Sequence, residues 1–370
     1  MKILVTGATG FIGKNLVLWL SEQPNIEVLT FVRGQDDATL SNTLAKADLV
    51  FHLAGENRPI DLGQFYEVNT GLTKQLCRVL CILGKKIPVI FSSSIQAEQD
   101  NHYGKSKLEA EKALIELSQS NGNSVAIYRL PGVFGKWCRP YYNSVVATFC
   151  YSKAFDLPIQ IDNPNSVLQL VHIDDVIRSF MSHLQQINFG LIRPSIFPTY
   201  SISVGELSDQ LEYYRIHRSS LMLNSVGSGL SRALYSTFMS YLPVEKFSYC
   251  VPSYTDSRGT FGEMLKIENS GQFSFFTAHP GMTRGGHYHH SKTEKFLVVK
   301  GHARFRFRNL LSDEIYHLES SDIKPQIVDS IPGWVHDITN IGASQLIVML
   351  WANEVFDKIN PDTFKCDLHD

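Results

Sequence analysis

The sequence has little of what would tie a protein to nucleic acid or to a membrane. The formal net charge of its 370 residues is −2 and no basic run occurs, which argues against general nucleic-acid binding. No apolar run approaches the ~20 residues that span a bilayer. The opening residues, KILVTG, are too short and wrongly flanked for a signal peptide. We therefore expect no nucleic-acid partner and no membrane insertion.

Paired cysteines are also missing. The six cysteines are scattered, without the spacing of a zinc motif or of a disulfide framework. Unpaired thiols are usual in a reducing compartment, so the composition predicts a cytoplasmic protein. With 44% hydrophobic and 19% charged residues the chain has the balance of a globular protein, and its length suggests two domains.

The character of the sequence changes near residue 245. Before this point, short β-rich runs alternate with helical stretches, which predicts a Rossmann-type α/β fold with a doubly wound parallel sheet. After it, short apolar runs punctuated by glycine, proline and asparagine predict an all-β antiparallel barrel. We place one domain at residues 1–245 and the other at residues 246–370, and we expect residues 205–245 to be irregular and partly helical.

A glycine-rich turn, TGATGFIG, follows the first predicted strand and opens a helix. Its three glycines permit a tight turn, close approach of the backbone to a pyrophosphate, and close packing of helix on strand. This context favours a dinucleotide site over a glycine turn without a ligand. The candidate cofactor contacts in this turn are Gly7, Thr9, Gly10, Phe11 and Ile12.

The residue after the second predicted strand bears on which dinucleotide binds. A reader of the ribose 2′-hydroxyl would be acidic there, whereas this chain has Arg33. A guanidinium suits a 2′-phosphate, so we expect NADPH. Asp36 and Asp37 lie close by in the sequence and keep NADH open as the alternative.

A tyrosine and a lysine lie one helical turn apart in YGKSK. Tyr103 and Lys107 share a helix face because they are four residues apart. A phenol with a pKa of about 10 is a poor acid–base catalyst until a nearby cation stabilises its phenolate. Upstream, FSSS ends a predicted strand and places Ser94 to hydrogen-bond a substrate carbonyl. These three residues are the candidate catalytic set.

Together these motifs resemble the extended short-chain dehydrogenase/reductase family, whose members mostly act on nucleotide sugars. The resemblance covers about residues 1–240 and includes TGATGFIG, HLAG, VNTG, FSSS, YGKSK and VHIDDV. It implies that Tyr103 delivers a proton as hydride arrives. The further cofactor contacts that it implies are Leu53, Ala54, Gly55, Asn69, Tyr103 and Lys107. Only eight residues separate Ser94 from Tyr103, fewer than the family usually has, and Ser93 is the alternative serine.

Three histidines and a glutamate form a second pattern. Residues 281–301 read G-x5-H-x-H-x4-E-x6-G, with His287 and His289 on one face of a predicted strand and Glu294 opening the next run. IPGWVHDITN supplies His336 as a fourth ligand. Three imidazoles and a carboxylate suit Zn²⁺, Fe²⁺, Mn²⁺ or Ni²⁺, and we expect one divalent metal per chain, with Zn²⁺ as the first choice. His290 is a substitute ligand if the register slips.

The second pattern resembles the two-part signature of the cupins, small β-barrels with a metal in the mouth. DSRGTFGEMLK and TRGGHYH also resemble segments of the deoxysugar 3,5-epimerases, which share that barrel. Those enzymes remove a proton next to a C4 ketone with the matching histidine, whereas here His287 is assigned to the metal. The base therefore stays unassigned, with four candidates: His302, Tyr316, His317 and Lys358.

A 4-keto sugar links the two halves. A reductase followed by a cupin over the full length resembles the bifunctional enzymes of capsular polysaccharide synthesis. This implies a UDP-2-acetamido-2,6-dideoxy-4-hexulose that is epimerised at C3 and reduced at C4 with NADPH. The implied product is UDP-N-acetyl-6-deoxy-L-talose, toward UDP-N-acetyl-L-fucosamine, made by a homodimer. The alternatives are a non-catalytic, dimerising cupin with a structural metal, a first half that is an NAD-retaining epimerase or dehydratase, an iron oxygenase barrel, and an NADPH-sensing scaffold.

Overall fold

The computed structural model describes residues 1–184, 190–250, 253–256, 259–262, 266–267, 271–354 and 359–368. Its elements up to residue 203 are β1 (Lys2–Thr6), α1 (Phe11–Ser21), β2 (Glu27–Phe31), α2 (Asp37–Lys46), β3 (Leu49–His52), a π-helix (Phe65–Gly71), α3 (Leu72–Ile82), β4 (Val89–Ser94), a 3-10 helix (Ile95–Glu98), α4 (His102–Asn121), β5 (Val125–Leu130), β6 (Gly132–Phe134), α5 (Val145–Ala154), β7 (Val167–His172), α6 (Ile173–His183), β8 (Leu191–Ile192) and β9 (Tyr200–Ser203).

The elements that follow are α7 (Val204–Ser220), β10 (Met222–Leu223), α8 (Gly229–Met239), a 3-10 helix (Val244–Lys246), β11 (Ser248–Cys250), β12 (Ser253–Asp256), β13 (Gly259–Gly262), β14 (Lys266–Ile267), β15 (Gln272–Ala278), β16 (Thr283–Tyr288), β17 (Glu294–Lys300), β18 (His302–Asn309), β19 (Ile315–Ser321), β20 (Gln326–Asp329), β21 (Trp334–Asn340), β22 (Leu346–Ala352) and β23 (Phe364–Lys365). The helices of the first half thus give way to strands after residue 247.

The first sheet is parallel and has six strands in the order β2-β1-β3-β4-β5-β8. Every residue of β3 and β4 is buried, as expected for a parallel sheet that is covered on both faces. Successive residues of β4 belong to different apolar clusters: Ile90 packs with Leu16 and Phe180, whereas Phe91 packs with Leu44 and Leu114. The predicted Rossmann-type domain is confirmed.

Two five-stranded antiparallel sheets follow. Their strand orders are β11-β20-β17-β22-β15 and β19-β18-β21-β16-β23. This is consistent with the predicted cupin-like all-β fold. The register shifts between Gly285 and His287, a β-bulge within the histidine motif.

Contacts between residues divide the chain into two compact units. The first comprises Met1–Phe134, Tyr141–Ser144 and Val167–Ile202, and the second comprises Gly135–Pro140, Val145–Ser166 and Ser203–Asp370. Residues 205–245 are more regular than expected, because they contain α7 and α8. The predicted boundary at residue 245 stays a prediction about the folding domains.

The structure also describes the cysteines and the length and polarity of the helices. All six cysteines carry free thiols, three of which are buried. Among the residues that the structure describes, no helix combines the length and the apolar character that a membrane span needs.

Candidate functional site

The glycine turn after β1 leaves no room for side chains. Gly7 has a φ of 69°, and a Cβ on it would lie 2.7 Å from the Ala54 Cα. A Cβ on Gly13 would lie 2.1 Å from the carbonyl oxygen of Gly7. α1 begins at Phe11, and no side chain caps its first turn. The N–H groups of that turn can therefore donate to a phosphate. This cradle, with Thr9 exposed at its tip, fits a dinucleotide.

A buried histidine holds the ends of β1 and β3 together beneath this turn. The Thr73 hydroxyl donates to the Asn69 carbonyl at 2.6 Å, so its oxygen accepts from Nε2 of His52 at 2.8 Å. The Thr6 hydroxyl then donates to Nδ1 of His52, also at 2.8 Å. Burial, together with the nearby Lys107, lowers the pKa of His52 to about 3, so the ring is neutral. No sequence pattern pointed to this role of the HLAG histidine.

Asn69 lies on the π-helix and ties the loop after β3 to α4. Its Nδ2 donates to the Ser106 hydroxyl at 2.9 Å and to the Glu56 carbonyl at 3.1 Å. Its Oδ1 accepts the Glu56 N–H at 2.8 Å, and a Cβ on Gly55 would lie 3.0 Å from that oxygen. Asn69 therefore positions the loop that carries the expected cofactor contacts Leu53, Ala54 and Gly55. Ser106 within YGKSK was the available sequence signal for this link.

The structure brings Ser94 and Tyr103 together. β4 ends at Ser94, whose hydroxyl accepts the Gln96 N–H at 3.1 Å and also hydrogen-bonds Tyr103. Ser93, the alternative serine, instead donates its hydroxyl to the buried Glu111 carboxylate. Of the two serines, Ser94 has the geometry for the predicted role.

Lys107 lies one helical turn after Tyr103 on α4, and its side chain contacts β4. Its ammonium donates to the Ser92 carbonyl at 2.7 Å and lies 4.4 Å from the centre of the Phe91 ring. Burial lowers the pKa of Lys107 to about 8, against the opposing effect of Glu111. Burial also raises the pKa of Tyr103, although the Ser94 hydrogen bond lowers it. At neutral pH Tyr103 thus carries a proton that it can donate.

Arg33 follows β2 and is paired with a buried carboxylate. Its Nη2 donates to Oε2 of Glu56 at 2.8 Å. Asp36 instead caps α2 by accepting the Thr39 N–H at 2.8 Å, and Asp37 is exposed. Neither aspartate is the partner of Arg33 in these contacts. Glu56 comes directly after HLAG, but no sequence pattern marked it as the partner of Arg33.

The four predicted metal ligands converge between the two antiparallel sheets. One ligand atom from each of His287, His289, Glu294 and His336 lies within 4.8 Å of the others. His287 and His336 are register partners on β16 and β21, whereas Glu294 starts β17 in the other sheet. His289 lies just past the end of β16, and its ring centre is 5.1 Å from that of His287.

The charges of this cluster suit a cation. Burial, with His336 and His289 beside it, lowers the pKa of His287 to about 3, and burial lowers that of His336. Burial would raise the pKa of Glu294, but the neighbouring histidines hold it well below its usual range. Neither ring nitrogen of the buried His336 makes a hydrogen bond of good geometry within the described residues. Three imidazoles around one carboxylate fit a divalent metal.

Asp362 holds the loop that carries His289. Its backbone carbonyl accepts from Nδ1 of His289, which directs Nε2 toward Glu294 at 3.1 Å. Its carboxylate accepts the N–H groups of three successive residues, His290, Ser291 and Lys292, at 2.7–2.8 Å. No sequence pattern pointed to Asp362, which lies more than 70 residues from the ligands that it supports.

Within the described residues, none of the other barrel candidates is among the four converging ligands. His290 packs against the rings of Phe364 and Tyr288 and is not one of the four converging ligands. His302 pairs with Glu319 at 3.0 Å on the surface, and His317 is exposed. Tyr316 packs on Phe247 and Phe307, and Lys358 lies outside the described residues. The proton-transfer residue of the barrel stays unassigned.

Comparison with known proteins identifies both parts of the chain. Residues 3–193 match the NAD dependent epimerase/dehydratase family, and residues 254–364 match the polysaccharide biosynthesis C-terminal domain. The chain is 54% identical over 368 residues to the UDP-2-acetamido-2,6-beta-L-arabino-hexul-4-ose reductase of Pseudomonas aeruginosa, covering 100% of this chain and 99% of that protein.

Solved structures give the same result. The capsular polysaccharide assembling protein CapF from Staphylococcus aureus aligns with a TM-score of 0.68 at 38% identity, covering 100% of both chains. CapF with the inhibitor 3-isopropenyl-tropolone aligns with a TM-score of 0.63 at 34% identity, again over 100% of both chains. The resemblance to capsular polysaccharide enzymes is confirmed. The chain belongs to the NAD dependent epimerase/dehydratase family and shares with CapF its full two-part length.

Proposed function

We propose that this protein is a bifunctional nucleotide-sugar enzyme. Its barrel epimerises C3 of a UDP-2-acetamido-2,6-dideoxy-4-hexulose, and its Rossmann-type unit reduces the C4 ketone with NADPH. The product is UDP-N-acetyl-6-deoxy-L-talose, on the way to UDP-N-acetyl-L-fucosamine for capsular polysaccharide. The observation that carries the proposal is that two separate donor sets, one for proton delivery and one for a metal, occur on a chain matched end to end by a hexul-4-ose reductase.

The reductase step follows from Ser94, Tyr103 and Lys107. The glycine turn would hold NADPH, which when bound would supply the hydride for C4. Tyr103, protonated at neutral pH because its pKa is raised by burial, donates its proton to the ketone oxygen, so hydride and proton together give an alcohol. Ser94 orients the phenol through its hydrogen bond. Lys107 places a cation beside the phenolate that remains.

The epimerase step is assigned to the barrel. His287, His289, Glu294 and His336 would hold a divalent metal, which would supply the positive charge that polarises the ketone and makes the adjacent C3–H more acidic. His289, Glu294 and His336 are buried and His287 is half-buried, and such an electrostatic effect is stronger where water is excluded. We further propose that the metal is Zn²⁺, that the enzyme is cytoplasmic, and that it works as a homodimer.

The test separates the two chemistries with point variants. In D₂O the wild-type protein should exchange the C3 hydrogen of the UDP-4-keto sugar for deuterium, which NMR detects. It should also oxidise NADPH when NADPH is added. Tyr103→Phe should abolish NADPH oxidation and keep the exchange, whereas His336→Ala should lose the exchange. Tyr66→Phe, at a tyrosine that contacts His102 near the start of α4, is the control and should keep both activities.

Either of two results would contradict the bifunctional assignment. Loss of both activities in Tyr103→Phe would mean that the two steps do not use separate sites. Unchanged exchange in His336→Ala would instead favour a barrel whose metal is structural or dimerising. Copurification of tightly bound NAD would favour an epimerase or dehydratase in the first half.

A further inference from the structure

Glu56 is a buried carboxylate that the proposed chemistry does not use. Its side chain is only 9% exposed, and Oε2 accepts from Arg33 at 2.8 Å. Oε1 accepts from the Tyr142 hydroxyl at 2.6 Å and from the N–H groups of Asn57 and Arg58 at 3.0 and 3.1 Å. A carboxylate this fully hydrogen-bonded is held in one place, with Arg33 as its outward partner.

The Arg33–Glu56 pair lies near the glycine turn, where it can affect how the cofactor binds. Gly7 donates its N–H to the Phe31 carbonyl at 2.9 Å, and a Cβ on Gly7 would lie 2.7 Å from the Ala54 Cα. Arg33 comes two residues after Phe31, and Glu56 two residues after Ala54. The pair therefore follows the strand ends on either side of the turn, where the adenosine ribose of a dinucleotide lies in this fold.

Glu56 carries a negative charge, as does a ribose 2′-phosphate, so the two groups repel each other. Burial raises its pKa, but hydrogen bonds from Tyr142, Arg33 and the backbone outweigh this and lower the pKa to about 2, so the group is ionised at neutral pH. Arg33, by contrast, is 79% exposed and has Glu56 as its partner. A 2′-phosphate that approaches Arg33 meets a guanidinium whose charge is already partly balanced.

We propose that Glu56 sets cofactor selectivity by competing with the ribose 2′-phosphate for Arg33, so that this chain prefers NADPH over NADH less strongly than Arg33 alone would dictate. The inference rests on the proposed nicotinamide cofactor but not on the sugar substrate. An NADH molecule, which has a 2′-hydroxyl, leaves the Arg33–Glu56 pair intact. NADPH binds only by sharing or displacing it.

The experiment measures dissociation constants of NADPH and NADH by fluorescence titration, without any sugar. Glu56→Gln keeps acceptors for Tyr142 and the backbone but removes the charge. It should tighten NADPH binding by about tenfold, the size expected for removing one like charge from a partly solvated site, and change NADH binding little. Asp37→Asn removes an exposed negative charge four residues from Arg33 and should change the ratio less than about twofold.

A double-mutant cycle identifies the route. If Glu56 acts through Arg33, the gain from Glu56→Gln should disappear in an Arg33→Ala background. An unchanged NADPH-to-NADH ratio in Glu56→Gln, or a full gain without Arg33, overturns the competition while leaving the proposed function intact. If no variant binds either nucleotide, the proposed cofactor fails and this inference fails with it.

Discussion

Lys107 should be a residue that the enzyme needs and that the fold tolerates poorly. The pKa of Lys107 is about 8 in the folded protein, against 10.5 for an unperturbed lysine. The folded state therefore binds fewer protons than the unfolded state between these two values, so stability rises with pH across that window. Below pH 8 the full difference, 10.5 − 8 = 2.5 pH units, corresponds to a cost of about 3 kcal/mol.

Replacement by methionine should remove most of this cost. The substitution also loses the hydrogen bond to the Ser92 carbonyl and the contact with the Phe91 ring, together worth about 1 kcal/mol. Lys107→Met is therefore expected to be about 2 kcal/mol more stable than the wild type at pH 7. Because the wild type regains about 2 kcal/mol by pH 9.5, the advantage should vanish there. NADPH oxidation should fall at least about a hundredfold.

The assay is urea unfolding at pH 7 and pH 9.5, combined with steady-state NADPH oxidation. Lys112→Met on the same helix is the matched control, because Lys112 is exposed and pairs with Glu109 on the surface. It should change stability by less than about 0.5 kcal/mol at either pH. If Lys107→Met is no more stable at pH 7, or keeps the same advantage at pH 9.5, then burial of the ammonium is not what shifts its pKa.

Three further outcomes follow from the same contacts. Ser94→Ala should lower kcat about a hundredfold, whereas Ser93→Ala, which removes a hydrogen bond to Glu111, should mainly cost about 1 kcal/mol of stability in urea unfolding. Asp362→Asn should weaken metal binding about 10- to 100-fold in chelator competition, with the surface variant Asp322→Asn unchanged. Added Zn²⁺ at about 100 times its Kd should stabilise the chelator-treated wild type by about 2.7 kcal/mol, and should not stabilise His336→Asn; equal responses would exclude His336 as a ligand.

Residues that lie close in sequence, or follow successive parallel strands, could be placed from sequence alone. Tyr103 and Lys107 meet because helical periodicity is short-ranged, and the glycine turn follows from the φ angles and close contacts that only glycine allows. His287 and His289 come together for a related reason, although His289 lies beyond the strand end rather than on it. His336 could be proposed as the fourth ligand because IPGWVHDITN provides a histidine after a Pro-Gly turn.

The supporting residues could not be placed in this way, since their partners are distant and chemically ordinary. Glu56 reads as an exposed loop glutamate until the fold brings Arg33 and Tyr142 to it across 23 and 86 positions. Asp362 is likewise an isolated acid until three backbone N–H groups converge on it. Sequence patterns thus point to candidate reacting and binding groups, whereas the groups that orient them depend on tertiary contacts.

The change in sequence character lies near residue 245, whereas the contacts place residues 203–370 in one compact unit. Arg218 on α7 pairs with the buried Asp329 at 2.6 Å, and Asp329 also accepts from the buried Lys295 at 2.6 Å. Lys295 directly follows the candidate metal ligand Glu294 on β17, so the two side chains point to opposite faces of that strand. A cut at 245 would remove one of the two cations that pair with the buried Asp329, next to the strand that carries the candidate ligand Glu294. A truncated barrel that lost activity would therefore say nothing about where epimerisation occurs, and only point variants such as Tyr103→Phe and His336→Ala separate the two steps.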